Sequence, residues 1–211
     1  MGIHERKQRE KEMRRKQIME AAKKVFSAKG FNRATMEEIA GEAELSPGTI
    51  YLYFKNKEEL HTSLSIDLLG YITSLMKKII NIKSIDAEEK MKKLKETFID
   101  VYEYDSMVLI NLFHLQSGET LQNLSEEVLE RLKETSANAV SAITSIVKEG
   151  IDNGIFVEKH PVALADIIWA TYSGVVLWVD SKRLLNNEKD FVRQTLETAF
   201  EIMLNGFKVK E

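Results

Sequence analysis

Between Thr35 and Lys57 the chain starts three helices in quick succession, and this limits what it can fold into. Thr35-Met-Glu-Glu38 is a capping box, in which the Thr hydroxyl and the Glu carboxylate each satisfy a backbone N–H at a helix start. It opens a short helix from Met36 to about Ala43, with Ile39, Ala40 and Ala43 on one face. Ser46 is the next N-cap. Pro47 follows at the first helical position, where its missing N–H costs nothing. Asn56 caps a third helix and places Glu58 and Glu59 in its first turn, where carboxylates oppose the positive end of the helix dipole. Two short helices joined by a tight turn make a helix-turn-helix, whose second helix can enter a DNA major groove.

Within that second helix Ile50 and Phe54, four residues apart, face a core, and Thr49, Tyr51, Tyr53 and Lys55 face out. Lys55 and Lys57 flank the Asn56 cap, and a helix N-terminus beside lysines is a site for phosphate. Upstream, Ile18, Ala21, Ala22, Val25 and Phe26 follow the i, i+3, i+4, i+7 pattern of an amphipathic helix, which Gly30 ends. Phe31 is expected to plug a small three-helix core with Phe26, Ile39 and Phe54. Residues 5–16 are dense in charge. They read either as a solvated helix end or as a basic extension that lies along phosphates.

The chain resembles the TetR-type transcriptional regulators over about residues 14–62. The matching residues are Ile18, Ala21-Ala22, Phe26, Gly30, Phe31, Thr35, Ile39-Ala40, Ala43, Ser46, Gly48-Thr49, Tyr51, Tyr53-Phe54, Lys57 and Leu60. The resemblance implies that Thr49 and Tyr51 contact bases or nearby phosphates. It implies that Thr35, Tyr53 and Lys57 contact phosphates, and that Pro47 and Gly48 meet base edges. With Ser46 and Lys55, the expected DNA-contacting set is Thr35, Ser46, Pro47, Gly48, Thr49, Tyr51, Tyr53, Lys55 and Lys57. Glu44 departs from the pattern, because the family usually has glycine in this turn. A positive φ there would cost a non-glycine residue about 1–2 kcal/mol.

Beyond residue 62 the pattern is helical throughout. A fourth helix runs from about Lys57 to Ile80, with Leu60, Leu64, Leu68, Ile72 and Leu75 near one face. Asp86 caps a fifth, which runs to about Glu103 before Tyr104-Asp-Ser106 breaks or bends the pattern. Met107 to Gln116 reads as a buried helix ended by Ser117-Gly118, with His114 a core histidine. Ser125-Glu-Glu starts a helix to about Asp152, closed by Asn153-Gly154, with Ile155-Phe156 anchoring the return. Pro161 opens the next helix, Leu184 to Glu188 is a loop, and the last helix carries Phe191 to Phe207. The last two helices are apolar on more than one face, so a partner is expected, most simply a second copy. The expected fold is all-α, with about nine helices: a DNA-binding domain at 1–60 and a ligand-binding and dimerisation domain at 61–211. Large inward side chains, Phe98, Tyr102, Met107, Phe113, Trp169 and Tyr172, are expected to line a pocket for a largely apolar small molecule. A long acyl chain or its thioester is preferred over a flat aromatic compound.

Composition supports a head-and-body division. Residues 1–60 carry 13 Lys and Arg against 10 Asp and Glu, and the remainder carries 17 against 23. A basic head on an acidic body suits a head that touches a polyanion. The chain has no cysteine, so disulfides and thiolate chemistry are excluded. No nucleotide-binding loop, zinc-protease or nucleophile-elbow motif occurs, and the four histidines are scattered, so no enzyme and no cofactor is expected. Glu58-x-x-His61 is a single half of a two-motif metal site, and metal binding is not expected. The run Ile167 to Val179 is too short to span a membrane. With a charged N-terminus, it points to the cytoplasm. The expected function is a sequence-specific transcriptional regulator that binds a near-palindromic double-stranded operator as a homodimer through its last two helices. Repression relieved by a small hydrophobic effector is the expected mode, with activation the other. The rival class is a helical carrier or adaptor without operator binding.

Overall fold

The computed structural model describes residues 2–115, 121, 124–186 and 191–209, without the side chains of residues 3 and 184–186. The described residues form eight helices and no strand: α1 (Ile3–Lys29), α2 (Met36–Glu42), α3 (Pro47–Tyr51), α4 (Lys57–Ile80), α5 (Ala87–Leu115), α6 (Glu126–Asp152), α7 (Pro161–Asn186) and α8 (Val192–Phe207). The two helices expected around residues 87–116 are the two arms of α5, and they meet where the break was expected, at Asp105, whose φ −153° and ψ 69° leave helical geometry. The Asp105 carboxylate accepts from the Val108 N–H at 3.1 Å and so recaps the helix after the bend.

The chain divides into two compact units within α4 rather than at residue 60. The first runs to Ser65 and also takes residues 118–129, which the sequence assigns to the second domain. Within this unit the Ser125 hydroxyl donates to Glu59 at 3.3 Å. Both α4 and α6 begin in the first unit and continue into the second.

In the first unit α1 ends at Gly30, whose φ of 76° suits glycine and whose N–H reaches the Phe26 carbonyl at 2.8 Å. Ile18, Ala22, Phe26, Ile39, Ala40, Ile50, Phe54 and Leu60 are buried together as its core. Phe31 does not plug this core. It is half-buried at the rim, 5.7 Å from the Phe26 ring and 4.6 Å from His61. Residues 5–16 are helical and belong to α1, which continues well past the core.

The second unit is held by side chains distant in sequence. Phe98 and Tyr172 stack at 4.0 Å, and Phe113, Trp169 and Phe200 meet them edge-on. The ammonium of the buried Lys90 reaches both carboxylate oxygens of Glu149 at 2.7 Å. Gly154, at φ 68°, closes α6. Phe156 then folds back over Gly150 so closely that a Cβ there would collide with the ring. Phe156 also bridges to Lys208 just after α8.

Several expectations are corrected here. His114 is exposed, not a core histidine, because it falls on the outer side of α5 between the buried Phe113 and Leu115. Leu184 to Asn186 continue α7 instead of forming a loop. The proposed end at Ser117-Gly118 and the rest of the 184–188 loop lie outside the described residues. The Pro161–Arg183 segment of α7 has 23 residues and a mean hydropathy of 1.7, so by length and composition it could span a bilayer. Two apolar faces produce that hydropathy. One is the buried row Leu164, Ile168, Tyr172, Val176 and Val179, and the other is the exposed row Ile167, Gly174 and Trp178.

Candidate nucleic-acid interface

The turn and α3 are built almost entirely from local bonds. Thr35 caps α2 by accepting from the Glu38 N–H, and Glu38 accepts from the Thr35 N–H, both at 3.2 Å. Ser46 caps α3, accepting from the Thr49 N–H at 3.1 Å, and its hydroxyl lies 2.8 Å from that of Thr49. Asn56 accepts from the Glu59 N–H at 2.8 Å and caps α4. Glu44, the departure from the family pattern, has φ 54°. The turn therefore keeps its left-handed residue, and the Leu45 N–H still reaches the Ala40 carbonyl at 2.9 Å. A glutamate bears strain that a glycine would not.

This arrangement exposes one face of α3. Pro47 and Gly48 are open to solvent, Thr49 and Tyr53 are half-buried, and Tyr51 is 49% exposed. Lys55 is exposed just beyond them. The sequence reading passed over Leu52, which is 80% exposed at the C-cap of this short helix. Its signal lay in the register: Ile50 and Phe54 take the core positions, so a leucine between them must point outward.

Lys57 departs from its expected phosphate contact. Its ammonium reaches the carbonyls of Phe31 at 2.8 Å, Ala34 at 3.0 Å and Asn32 at 3.5 Å, and lies 4.5 Å from the Phe31 ring centre. An ammonium has three donors, and here they fasten the α1–α2 loop. His61 sits behind this loop against Phe26 and Phe31. Burial pushes its imidazole down to about 4 despite the opposing Glu58 carboxylate, so it is neutral near pH 7. It packs as an aromatic ring, and no cluster of metal-ligating side chains occurs among the described residues.

The six side chains expected to line a pocket divide. Phe98, Phe113, Trp169 and Tyr172 form the ring cluster of the second unit, and Tyr102 is buried near Tyr172. Met107 is half-buried. The Tyr172 hydroxyl donates to the Phe98 carbonyl at 2.8 Å, and burial raises its pKa far above that of a free phenol.

Three comparisons place this geometry. Residues 18–64 match the family model for bacterial regulatory proteins of the tetR family. The fatty acid metabolism regulator protein of Bacillus subtilis (strain 168) is 26% identical over 196 residues, covering 92% of this chain and 95% of that protein. The transcriptional repressor NicS of Pseudomonas putida is 28% identical over 143 residues, covering 67% and 65%. The crystal structure of FadR from Bacillus subtilis in complex with stearoyl-CoA superposes with a TM-score of 0.68 at 24% identity, over 90% of this chain and 98% of that one. The helix-turn-helix with its three caps and the family match at the N-terminus lead to one conclusion: residues 18–64 are a TetR-family DNA-binding domain, and the chain is a DNA-binding transcriptional regulator.

Proposed function

We propose that the protein is a dimeric cytoplasmic repressor that holds a near-palindromic operator and lets it go when a long-chain acyl thioester binds its second unit. The observation that carries this reading is similarity to a fatty acid metabolism regulator along 92% of the chain, well beyond the DNA-binding domain. At the DNA, Thr35, Ser46, Thr49, Tyr51 and Tyr53 supply hydroxyl groups for phosphates and base edges. Lys55 supplies a cation, and Pro47, Gly48 and Leu52 supply an apolar surface suited to thymine methyl groups.

The dimer forms through the outer faces of α7 and α8. Trp178 at 63% and Ile202 at 68% exposure are the large apolar side chains there. An open groove of about 560 Å³ between Lys182, Phe191, Thr195, Thr198 and Ile202 can receive the partner's side chains. Two identical patches related by a twofold axis bury each other. The effector enters by parting the ring cluster around Phe98, Phe113, Trp169 and Tyr172. In the state described here those rings are in mutual contact, which suits the unliganded, DNA-holding form. The effector then acts by preferring a second arrangement of α4 and α6, the helices that start in the DNA-binding unit.

Operator release tests the reading. Fluorescence anisotropy of an operator duplex should show affinity falling by roughly 5- to 150-fold on adding a long-chain acyl thioester, the range of ordinary coupling energies. The same thioester should leave a Tyr172→Ala variant on its operator. Unchanged operator affinity at saturating thioester overturns the effector class but leaves the DNA-binding reading intact.

A further inference from the structure

The N-terminal extension of α1 carries charge that is sorted by face. Residues 3–17 precede Ile18, the first buried residue of the helix, and all of those with a described side chain are exposed except the half-buried Arg15. At ~100° per residue, the positions within ~65° of the mean direction that buries Ile18, Met19, Ala21, Ala22, Val25 and Phe26 are His4, Lys7, Gln8, Lys11, Arg14 and Arg15. That face holds four permanent cations and no carboxylate. The remaining face holds Arg6, Arg9 and Lys16 against Glu5, Glu10 and Glu12, and is neutral. The outer-face carboxylates are engaged along the helix, Glu12 by the inner-face Gln8 amide at 3.2 Å. Glu10 takes Arg6 at 2.9 Å, and Glu5 takes the Gly2 N–H at 3.1 Å, whereas Lys7 and Lys11 make no ion pair among the described residues. A merely solvated helix end has no reason to separate its charges in this way, because intermixed signs give the stronger i, i+4 support.

The base of this stripe is fixed beside the recognition helix. The Arg15 guanidinium lies 5.1 Å from the Phe54 ring centre, just after α3. Gln17 donates to the Ala43 carbonyl at 2.7 Å, just before α3. The arm therefore leaves the core between the two residues that bracket the base-reading element. From His4 to Arg15 it extends roughly 16 Å at 1.5 Å per residue. Duplex DNA presents one phosphate charge per ~1.7 Å of its axis.

We propose that the inner face of this arm, Lys7, Lys11, Arg14 and Arg15, is a second DNA contact that binds the phosphate backbone flanking the operator. It adds affinity and salt dependence without reading sequence. The proposal rests on the protein's being a DNA-binding regulator.

The test compares two full-length triple variants with the same change in charge. Lys7→Gln/Lys11→Gln/Arg14→Gln removes inner-face cations, and Arg6→Gln/Arg9→Gln/Lys16→Gln removes outer-face ones. Operator affinity is measured by anisotropy between about 50 and 200 mM salt, where each lost phosphate contact lowers the log–log slope by about 0.9. The inner-face variant should lose roughly 2–3 in slope per protomer, and the outer-face variant less than about 1. The difference between the variants should vanish on a duplex trimmed to the operator core. The preference for operator over random duplex should survive in both. Equal slopes for the two variants, or a difference that persists on the trimmed duplex, overturn the proposal. So does a stripe whose loss weakens only binding to anionic phospholipid vesicles. Wild-type protein that binds no duplex in preference to another would instead bring down the regulator reading itself, and this contact with it. Unchanged helical circular dichroism guards against an arm that has simply melted.

Discussion

The two units of the chain are held together by different kinds of bond. In the DNA-binding unit the caps that shape the helix-turn-helix close within a few residues: Thr35 to Glu38, Ser46 to Thr49 and Asn56 to Glu59. In the second unit they join residues 59 apart at Lys90–Glu149, 74 apart at Phe98–Tyr172 and 90 apart at Glu103–Arg193. The first kind defines a local shape that a small core then fixes. The second exists only once the helices have packed. The DNA-binding unit should therefore lose function before it loses structure, and the second unit the reverse.

The largest expected effect is in the ring cluster. Phe98 is fully buried against Tyr172, Trp169 and Phe200, so Phe98→Ala should cost about 3–5 kcal/mol. Ser46→Ala should cost only about 1 kcal/mol, because it removes one cap. Denaturant unfolding of both variants measures the contrast, and equal losses would erase it. Gly150→Ala comes next at about 1–3 kcal/mol, since the Phe156 ring must move to admit a methyl group. If calorimetry found that change neutral, the return after α6 would be more pliable than its packing implies.

Lys57 sharpens the comparison from the DNA side. A lysine on phosphate and a lysine on three loop carbonyls predict different results for Lys57→Met. Loss of a phosphate contact would lower the salt slope of operator binding by about 0.9. Loss of the carbonyl clamp should leave the slope alone, cost about 1–3 kcal/mol of stability, and weaken binding at every salt concentration alike. We expect the second result, and a changed slope with unchanged stability would restore the phosphate contact.

The same division governs what could be read in advance. Thr35, Ser46, Pro47, Asn56 and Gly30 each carry their structural role in their own chemistry, so the end of α1, all of α2, the start of α3 and all of α4 were legible to within a residue or two, whereas α1 starts well before Ile18 and α3 stops at Tyr51, short of the Tyr53 to Lys55 read as part of it. At Glu44 the sequence left two turn geometries open, and the φ of 54° decides for the left-handed one. Lys57 was read as a phosphate contact because a lysine beside a helix start suits phosphate and carbonyl equally, and its bonds to the α1–α2 loop appear only once that loop is placed. In the second unit periodicity marked the helices but not their partners. His114 was placed inside because its neighbours are apolar; the bend was marked at Tyr104-Asp-Ser106, but not the face that it gives to His114. The ring cluster could be named from the sequence, but the 4.0 Å stacking of Phe98 on Tyr172 could not, since it depends on how α5 meets α7.

His61 offers a pH test of the DNA-binding unit alone. Its imidazole is held at about 4 when folded and returns to 6.5 on unfolding, so between these values the unfolded chain binds the extra proton. Stability from this group is complete above pH 6.5 and is lost as the pH falls towards 4. At pH 5 the loss should be about 1–2 kcal/mol. Melting curves of His61→Phe, which keeps the ring against Phe26 and Phe31, should be flatter between pH 7 and 5 than those of the wild type. Carboxylates such as Glu38 and Glu88, whose pKa values are lowered by Lys29 and Lys208, titrate below this window and do not mimic it. Parallel curves for the two proteins would mean that the loop opens enough to admit water to the imidazole.

The smallest effect is the most diagnostic for the turn. Glu44 holds φ 54° without the freedom of glycine, at a cost of about 1–2 kcal/mol against an unstrained residue. Glycine pays more backbone entropy on folding, which returns roughly 0.5–1 kcal/mol of that. Glu44→Gly should therefore stabilise the unit by only about 0.5–1 kcal/mol. It also removes a carboxylate that sits exposed in the turn ahead of α3, close to where phosphates would lie. Operator affinity should consequently rise more than stability does, with the difference shrinking as salt screens the lost repulsion. Glu44→Gln separates the two causes, because it keeps the strain and removes the charge. If Glu44→Gln matches Glu44→Gly in affinity but not in melting temperature, repulsion governs binding and backbone strain governs stability. If both variants leave affinity unchanged, the turn stands clear of the backbone, and the groove is met by the end of α3 and the residues just after it, Tyr51, Leu52 and Lys55.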